Sequence, residues 1–402
     1  MRIDAHIHYT PPSLAADLAQ FAEQEPYWGL LLDPKQAGSG LQGWATAERM
    51  LADMDQAGLD KVIVMGNYRQ KPEGCRAVND QTIELVRRWP ERVIGFAVLQ
   101  PVPIQVALDE LQRCLDYGLR GVGELGPYGQ GYDMNNPDFL EVVEACIRAD
   151  IPLNLHVSEE VGHFYIGKST TPLRHYYTLA CRYPELKLIL AHWGGGLFFY
   201  EIMPEVRRTL KNVYYDTAGS PLLYPTEAIF RVALQCLDHR KILYGSDYPL
   251  CVFPKIHKEP SFQPFIAQID ELGLPDEVYA AIMGGNTARL LGIQPDGMSS
   301  LNEKPESKRS TSLLVTEITD PAGLKIQPMM AVRAIAQAWP ETRPVFEKYG
   351  LPWQESIVPF WEPLVQSAAA HGLAPSSRQR LLEDLNEAIP AGRTKGLITS
   401  HE

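Results

Sequence analysis

The sequence predicts an α/β protein, a (β/α)8 TIM barrel followed by a small C-terminal all-helical domain. Eight short β-rich runs alternate with helix-length segments from residue 3 to about residue 292. Such alternation predicts a parallel sheet. Eight repeats in roughly 290 residues fit a closed barrel better than an open, doubly wound sheet. Beyond residue 293 only helical patterns remain, which indicates a second domain.

The predicted elements follow one another in strict β/α order. The strands are Ile3–His8, Lys61–Gly66, Val93–Leu99, Gly121–Leu125, Leu153–His156, Leu186–His192, Val213–Asp216 and Ile242–Asp247. The helices are Ala45–Ala57, Cys75–Arg88, Ile104–Tyr117, Pro137–Ala149, Pro172–Arg182, Phe198–Leu210, Pro225–Cys236, Ser261–Leu272 and a closing helix near Pro275–Leu291. Several begin with proline, whose missing N–H costs nothing in a first turn, and Gly58, Gly118 and Gly273 stand just past helix ends.

The composition divides the chain into three parts. Residues 1–293 form the predicted barrel. Residues 294–312, QPDGMSSLNEKPESKRSTS, offer almost nothing that could enter a core, so they are predicted to be a linker. Residues 313–402 form the predicted helical domain, with helical patterns in Ala331–Trp339, Thr342–Tyr349, Val358–Ala370 and Ser377–Ala388.

The composition also excludes several classes of function. The 402 residues include 37 basic and 49 acidic side chains, and the net charge of −12 repels nucleic acids and anionic membrane surfaces. Six dispersed cysteines without a CxxC pair form neither a disulfide scaffold nor a thiolate zinc site. No apolar leader and no apolar run near ~18 residues occur. We therefore expect a cytoplasmic protein with a small-molecule partner.

The first predicted strand carries a candidate metal-binding pattern, Ile3-Asp4-Ala5-His6-Ile7-His8. Successive strand residues face opposite ways, so the polar residues share one face and the apolar residues the other. The apolar face of a barrel strand meets the helices. His6 and His8 therefore look inward, one pleat apart, and both can reach one cation at ~2.0–2.1 Å.

Three further polar residues end other predicted strands. His156 ends strand 5, His192 ends strand 6 and Asp247 ends strand 8. Active sites of this barrel are assembled at such carboxyl ends. Three of these four histidines, together with the Asp247 carboxylate, would form a ligand set for Zn²⁺ or a similar divalent ion. The alternative for any single histidine is a hydrogen-bonded core residue.

These motifs resemble the amidohydrolase-related metal-dependent barrels, the family that includes aminocarboxymuconate-semialdehyde decarboxylase. The resemblance covers about residues 1–292 and rests on IDAHIH, NLHVSE, LAHWGGG, YYDTAG, LYGSDYP and GGNTARLLG. It implies that the metal ligands are His6, His8, His156 and Asp247. It further implies that His192 transfers a proton or polarises the substrate. In a hydrolytic reaction Asp247 is expected to be both a metal ligand and the catalytic base.

Four residues are expected to contact the substrate: Glu124, Trp28, Trp193 and Lys168. Glu124 ends strand 4, where binuclear relatives place a carboxylated lysine or a glutamate; a metal contact is its alternative. Trp28 lies in a long loop, Tyr9–Trp44, whose aromatic residues suit a lid over a ring-shaped substrate. These aromatics could instead only pack the lid onto the barrel.

The C-terminal region has a resemblance of its own. Residues 325–389 are similar to a small helical domain of unknown function that occurs beside hybrid-cluster and iron–sulfur-repair proteins. The turn that commonly holds cysteines in that family reads Pro352-Trp353-Gln354 here, so no cluster chemistry is expected. A role in docking a partner or in forming a homodimer is expected instead.

Three functions follow from this reading. The first is a hydrolase with one divalent ion, preferably Zn²⁺ but also Mn²⁺ or Fe²⁺, that acts on a small cyclic or aromatic carboxylate, amide or lactone through activated water. The alternative is a non-oxidative decarboxylase of an aromatic or unsaturated acid. A third possibility is a catalytically silent scaffold barrel. The sequence itself does not separate hydrolysis from decarboxylation and leaves the substrate open; the resemblance favours hydrolysis, because most members of that superfamily with this ligand set hydrolyse.

Overall fold

The computed structural model describes residues 1–16, 18–32, 41–256, 258–293, 326–354 and 362–389. Within these ranges eight strands occur: β1 Ile3–Ile7, β2 Lys61–Met65, β3 Val93–Phe96, β4 Val122–Leu125, β5 Leu153–Leu155, β6 Leu188–Leu190, β7 Val213–Asp216 and β8 Ile242–Leu243. Each lies within the range predicted for it. The predicted linker, 294–312, lies outside the described residues.

The strands close into a parallel barrel, as predicted. They form two sheets, ordered β1-β2-β3 and β4-β5-β6-β7-β8, and all paired strands run parallel. A bridge between Ala97 and Val122 joins the two sheets on one side. On the other side Ile7 bridges to Tyr248, whose carbonyl accepts a 2.7 Å bond from the His8 N–H. No sheet edge is therefore left open along the described strands.

Helices surround the barrel in the predicted alternation. The outer helices are Ala47–Ala57, Pro72–Arg88, Ile104–Asp116, Pro137–Arg148, Leu173–Arg182, Pro204–Thr209, Thr226–Cys236 and Gln263–Asp270. Short turns of helix lie at Pro127–Gln130, Ala191–Gly194, Leu197–Ile202, Ser220–Leu223 and His239–Lys241, and the closing segment spans Asp276–Ala280, Ala281–Gly285 and Asn286–Leu290. Local signals explain the boundaries: the Thr46 side chain accepts a bond from the Arg49 N–H, and Gly58 ends that helix in the left-handed region.

Apolar residues cover both faces of the strands. In β2, Val62 and Val64 belong to the large cluster that packs against the helices, whereas Ile63 and Met65 belong to a second cluster. The second cluster also contains Leu290 of the closing segment. Burial of both faces is typical of parallel sheets and explains why the strands are continuous apolar runs.

The predicted loop Tyr9–Trp44 contains three helices rather than a simple loop. These lid helices are Pro12–Ala15, Leu18–Gln24 and Pro26–Leu32, while residues 33–40 lie outside the described ranges. Tyr27 and Trp28 are buried in one cluster with Tyr68 of the loop after β2. The aromatic residues of the lid therefore form its core.

The C-terminal region is helical, as predicted. Its helices are Val332–Ala338, Pro340–Thr342, Arg343–Lys348, Leu364–Ala370 and Pro375–Glu387. They share a separate apolar cluster around Val332, Phe346, Leu364 and Leu385. None of the described helices combines the length and apolar character that a membrane crossing requires. The domain boundaries, the homodimer, the cytoplasmic location and the docked partner stay predictions.

Trp193 contradicts the expectation of a substrate contact. Its side chain is fully buried, its indole N–H donates a 2.9 Å bond to the Ser220 hydroxyl, and its ring packs edge-on against Phe230. His192 and Trp193 both have positive φ, 57° and 59°, so the chain turns sharply at the end of β6. This turn sends Trp193 into the core between barrel and helices.

We predict that Trp193→Ala destabilises the protein by about 3–5 kcal/mol, because it leaves a large cavity in a packed core. Denaturant unfolding measures the free-energy change. Phe199→Ala is the matched control, since Phe199 is 55% exposed and its truncation leaves no cavity. Unchanged stability together with weaker substrate binding would restore the original expectation for Trp193.

Candidate functional site

Histidines and carboxylates converge at the carboxyl ends of the strands. His6 Nε2 lies 3.3 Å from His8 Nε2, which lies 3.5 Å from an Asp247 carboxylate oxygen. On the opposite side His156 Nδ1 lies 2.9 Å from Glu124 Oε1 and 3.1 Å from His192 Nε2. The structure thus brings together the three predicted ligand histidines, His192 and Asp247, and it places Glu124, the predicted substrate contact, between them.

Three histidines are oriented toward this cluster by hydrogen-bond partners on the far side of their rings. His6 Nδ1 donates to the Asp216 carboxylate at 2.9 Å. His8 Nδ1 lies 3.0 Å from the Met65 carbonyl oxygen, and His192 Nδ1 lies 2.8 Å from the Ala218 carbonyl oxygen. A carbonyl oxygen only accepts, so each Nδ1 carries its hydrogen outward. In the neutral ring, Nε2 then turns a lone pair toward the cluster.

This arrangement fits a shared cation. Two lone pairs that face each other at 3.3 Å, as on His6 and His8, repel unless a proton or a metal ion lies between them. Ligands at ~2.0–2.1 Å around a tetrahedral ion lie about 3.3 Å apart. Histidine nitrogens with carboxylate oxygens are a donor set that Zn²⁺, Mn²⁺ and Fe²⁺ all accept.

Glu124 is the central carboxylate of the cluster. Two overlapping triads among the described residues lie close enough to share an ion, His6–His8–Glu124 and Glu124–His156–His192. Asp247 contacts the same cluster from its edge, 3.5 Å from His8 Nε2 and 3.9 Å from His192 Nδ1. The geometry of Glu124 therefore favours a metal contact, the alternative weighed for it, over a substrate contact.

The field in the site is strongly negative. Burial alone would lower the pKa of His6, but the Asp216 carboxylate raises it to about 9. Burial would likewise lower the pKa of His192, but its bond to Glu124 and the charge of Asp247 raise it to about 10. Carboxylates that hold a proton on buried imidazoles also attract a divalent cation to the same position.

The backbone around the site is tightly constrained. Asp247, like His192, has a positive φ, 69°, which costs a non-glycine residue of the order of 1 kcal/mol. Gly219 makes room for both, because a Cβ at this position would lie 3.0 Å from an Asp247 carboxylate oxygen and 3.5 Å from His192 Nδ1. Strain concentrated at these two residues is typical of a functional site.

Trp28 and Lys168, the remaining predicted substrate contacts, lie in segments that surround the cluster, and Trp28 is linked to it through Tyr68. Tyr68 has its ring centroid 6.4 Å from that of His156 and 5.2 Å from that of Trp28. Lys168 follows β5, is almost fully buried, and holds its ammonium 3.0 Å from Glu159. Trp28 and Tyr68 therefore form an aromatic wall near the cluster, while Lys168 already has an anionic partner.

Sequence reasoning missed two functional features. Asp216, which holds His6, was as compatible with a plain strand end as with a role in the site. Tyr68 was not singled out, because nothing in the sequence shows that the loop after β2 meets the lid. A second carboxylate at a strand end opposite a histidine pair is the signal that could have identified Asp216.

The parallel barrel, with histidines and carboxylates gathered at the carboxyl ends of its strands, places this chain in the class of (β/α)8 barrel enzymes. The amidohydrolase family matches residues 3–293, more than half of the chain. The chain belongs to this family and is one of its enzymes, which leaves no support for a silent scaffold. The resemblance of the C-terminal region stays a prediction.

Two curated relatives of this chain are decarboxylases. A 2-amino-3-carboxymuconate-6-semialdehyde decarboxylase from Dictyostelium discoideum is 24% identical over 275 residues, covering 61% of this chain and 74% of the relative. A gamma-resorcylate decarboxylase from a Polaromonas species is 25% identical over 260 residues, covering 50% of this chain and 76% of the relative.

A solved structure shares the fold. The 5-carboxyvanillate decarboxylase of Novosphingobium aromaticivorans, complexed with manganese and 4-hydroxy-3-methoxy-5-nitrobenzoic acid, is 18% identical with a TM-score of 0.57. The match covers 73% of this chain and 96% of that protein. At this identity the likeness establishes the fold.

We predict that Asp216→Asn weakens metal binding 10–100-fold, the usual effect of losing a carboxylate that orients a ligand histidine. The amide can no longer fix the His6 tautomer as strongly as the carboxylate does. Competition with a chelator measures the affinity for Zn²⁺ and Mn²⁺. Asp238→Asn is the control, because Asp238 is paired with Arg240 at the surface. Equal affinity in both variants would contradict the role of Asp216.

We predict that Glu124→Gln also lowers bound metal, because Glu124 belongs to both triads of donor atoms. Elemental analysis after dialysis gives the metal content, and His156→Ala serves as the reference for a lost ligand. Full metal content with a raised KM would instead make Glu124 a substrate contact, and full metal content in His156→Ala would remove His156 from the predicted ligand set.

Proposed function

We propose that this chain is a non-oxidative decarboxylase that uses one divalent ion and acts on an aromatic or unsaturated carboxylic acid. The supporting observation is a cation-binding donor cluster beneath a wall of buried aromatic rings. The resemblance found in the sequence favoured hydrolysis, with decarboxylation as the alternative. The activities of the relatives favour the alternative, because both curated decarboxylases match most of their own length.

The proposed ligands are His6, His8 and His156, with Asp247 from the predicted set and Glu124 from the geometry. Their inward nitrogens and oxygens fit the chemistry of a small divalent ion. Such an ion, when bound, would hold the carboxylate and a neighbouring oxygen of the substrate and stabilise negative charge there. Zn²⁺, Mn²⁺ and Fe²⁺ remain equivalent choices for this donor set.

His192 is the proposed proton-transfer residue. Its Nδ1 is held by the Ala218 carbonyl oxygen, and its Nε2 faces the donor cluster 3.1 Å from His156 Nδ1. In the reaction a proton forms a C–H bond at the carbon that carries the carboxylate. The C–C bond then breaks and its electron pair stays with the substrate, so CO₂ leaves and no oxidant is consumed.

The lid provides the proposed binding wall for the substrate ring. Trp28 packs against Tyr68, and its indole N–H has no partner among the described residues although the side chain is buried. A substrate oxygen could accept this hydrogen bond. Lys168 is less suited to clamping a carboxylate, because Glu159 neutralises its ammonium at 3.0 Å.

A panel of acids, lactones and amides tests the reaction type. The full chain is reconstituted with Zn²⁺, Mn²⁺ or Fe²⁺ and incubated with 2,6-dihydroxybenzoate, 5-carboxyvanillate, an unsaturated dicarboxylate, aryl lactones and aryl amides. The proposal expects metal-dependent CO₂ release from at least one acid and no cleavage of lactones or amides. Hydrolysis without CO₂ release would instead support the hydrolase, with Asp247 as the base that takes the proton of water.

We predict that His192→Asn keeps near-normal metal content while turnover falls by ~10²–10⁴, the range for losing a general acid–base. Metal analysis and CO₂ release are measured on the same preparation. Loss of metal together with activity would make His192 a ligand, as its place in one donor triad allows. Unchanged turnover would make it a packed core histidine.

A further inference from the structure

One C-terminal helix, Leu364–Ala370, lies across the mouth of the barrel. Ala369 and Ala370 are buried in the same cluster as Tyr27 and Trp28 of the lid. The helix therefore covers the lid from outside and shares its core. This surface of the C-terminal helix therefore docks on the barrel of its own chain.

Polar contacts hold this helix over two other loops of the barrel mouth. Gln70, after β2, donates from its side-chain amide to the carbonyl oxygens of Ala369 and Ala370 at 3.1 and 2.8 Å. Tyr128, after β4, donates its hydroxyl to the buried Glu362 carboxyl at 2.6 Å. These bonds satisfy the last carbonyls of the helix and fix its position independently of the contact described next.

The side chain of Gln366, on this helix, both accepts and donates a hydrogen bond with the backbone of the loop after β5. It is fully buried, its Oε1 accepts a 3.2 Å bond from the Gly167 N–H, and its Nε2 donates a 2.6 Å bond to the Lys168 carbonyl oxygen. A side-chain amide thus pairs with the backbone as a neighbouring strand would, and both polar groups are satisfied.

The segment held by Gln366 leads directly to the donor cluster. The Ser169 N–H donates to the Ser158 hydroxyl at 2.9 Å, and this hydroxyl lies 3.4 Å from His156 Nε2. Tyr27 of the lid donates its hydroxyl to the Gly167 carbonyl oxygen at 3.2 Å. The backbone of residues 167–169 is therefore fixed between Gln366, the lid and the partner of His156.

We infer that Gln366 is a positioning residue: it fixes the backbone of residues 167–169, and through that backbone it sets the pocket wall beside His156. The C-terminal region is then part of the active-site enclosure. The inference rests on the proposed function only where it concerns turnover, since the placement of the loop is a property of the chain itself.

The test compares Gln366→Met, which keeps the length of the side chain and removes both hydrogen bonds, with the unchanged chain. With its carboxyl group ionised, Gln366→Glu keeps an acceptor for the Gly167 N–H and has no donor for the Lys168 carbonyl oxygen. Gln379→Met is the control, because Gln379 is an exposed glutamine on the next helix and bonds to Glu383. All variants are full-length and loaded with the same metal.

Amide hydrogen exchange reads the loop directly. We expect the Gly167 amide to exchange at least about tenfold faster in Gln366→Met, the loss of roughly one hydrogen bond, and to stay protected in Gln366→Glu and Gln379→Met. On an acid from the panel that is turned over, KM should rise about tenfold in Gln366→Met with metal content unchanged and kcat changed less.

Two outcomes separate the inference from the proposed function. Unchanged exchange at Gly167 and unchanged KM in Gln366→Met would overturn the positioning role even in an active decarboxylase. Absence of CO₂ release from the unchanged chain would overturn the proposed function, while the exchange data would still decide whether Gln366 holds the loop. If Gln366→Met fails to fold, Gln366→Glu carries the test at a pH where its carboxyl group is ionised. It then has no donor for the Lys168 carbonyl oxygen, so KM should rise while the Gly167 amide stays protected, and an unchanged KM at that pH would overturn the inference.

Discussion

The buried carboxylate of Asp216 is the interaction on which the rest of the site depends. It accepts hydrogen bonds from His6 Nδ1 at 2.9 Å, Asn154 Nδ2 at 3.1 Å, and the backbone N–H groups of His192 and Ala218 at 3.0 and 3.1 Å. Burial alone would raise its pKa, but His6 lowers it below the usual range. The charge therefore persists, and a buried charge must be fully hydrogen-bonded.

This requirement ties barrel closure to the orientation of the site. The donors to Asp216 come from β1, from β5 and from the segment after β6 and β7, so the carboxylate is satisfied only when these elements are in register. The same bonds hold the sharp turn at His192, where φ is positive, and turn its ring toward the cluster. The buried Asp216 carboxylate thus offsets the backbone strain at His192, which the isolated segment would not tolerate.

The sequence predicted the barrel well because both of its signals are local. Apolar runs of strand length and caps at helix ends depend on neighbours along the chain, and so does the polar alternation of β1 that placed His6 and His8. The expectation for Trp193 was wrong, because positive φ at two successive residues, His192 and Trp193, turns its side chain away from the site. The sequence contains no signal for that turn other than the glycines that follow.

Contacts between distant segments were beyond sequence reasoning for a different physical reason. Gln70 and Gln366 are polar residues in a chain that holds many, and only the fold shows that each meets backbone groups that would otherwise be buried without partners. A linker predicted from composition suggests that few contacts join the two regions on either side of it. The lid and the C-terminal helix are instead in apolar contact, because Ala369 and Ala370 are buried in one cluster with Tyr27 and Trp28.

That cover bears on which reaction the site can perform. Hydrolysis needs a water molecule beside the donor cluster in every turnover, whereas the proposed loss of CO₂ consumes one proton and no water, and a site that excludes water limits side reactions. The aromatic lid and the Leu364–Ala370 helix share one buried cluster beside the site. Low-dielectric walls strengthen charge interactions in the site, including the attraction that a cation held by the donor cluster would exert on a substrate carboxylate. An enclosure of this kind suits a substrate that arrives as an anion and leaves as neutral CO₂ and a ring.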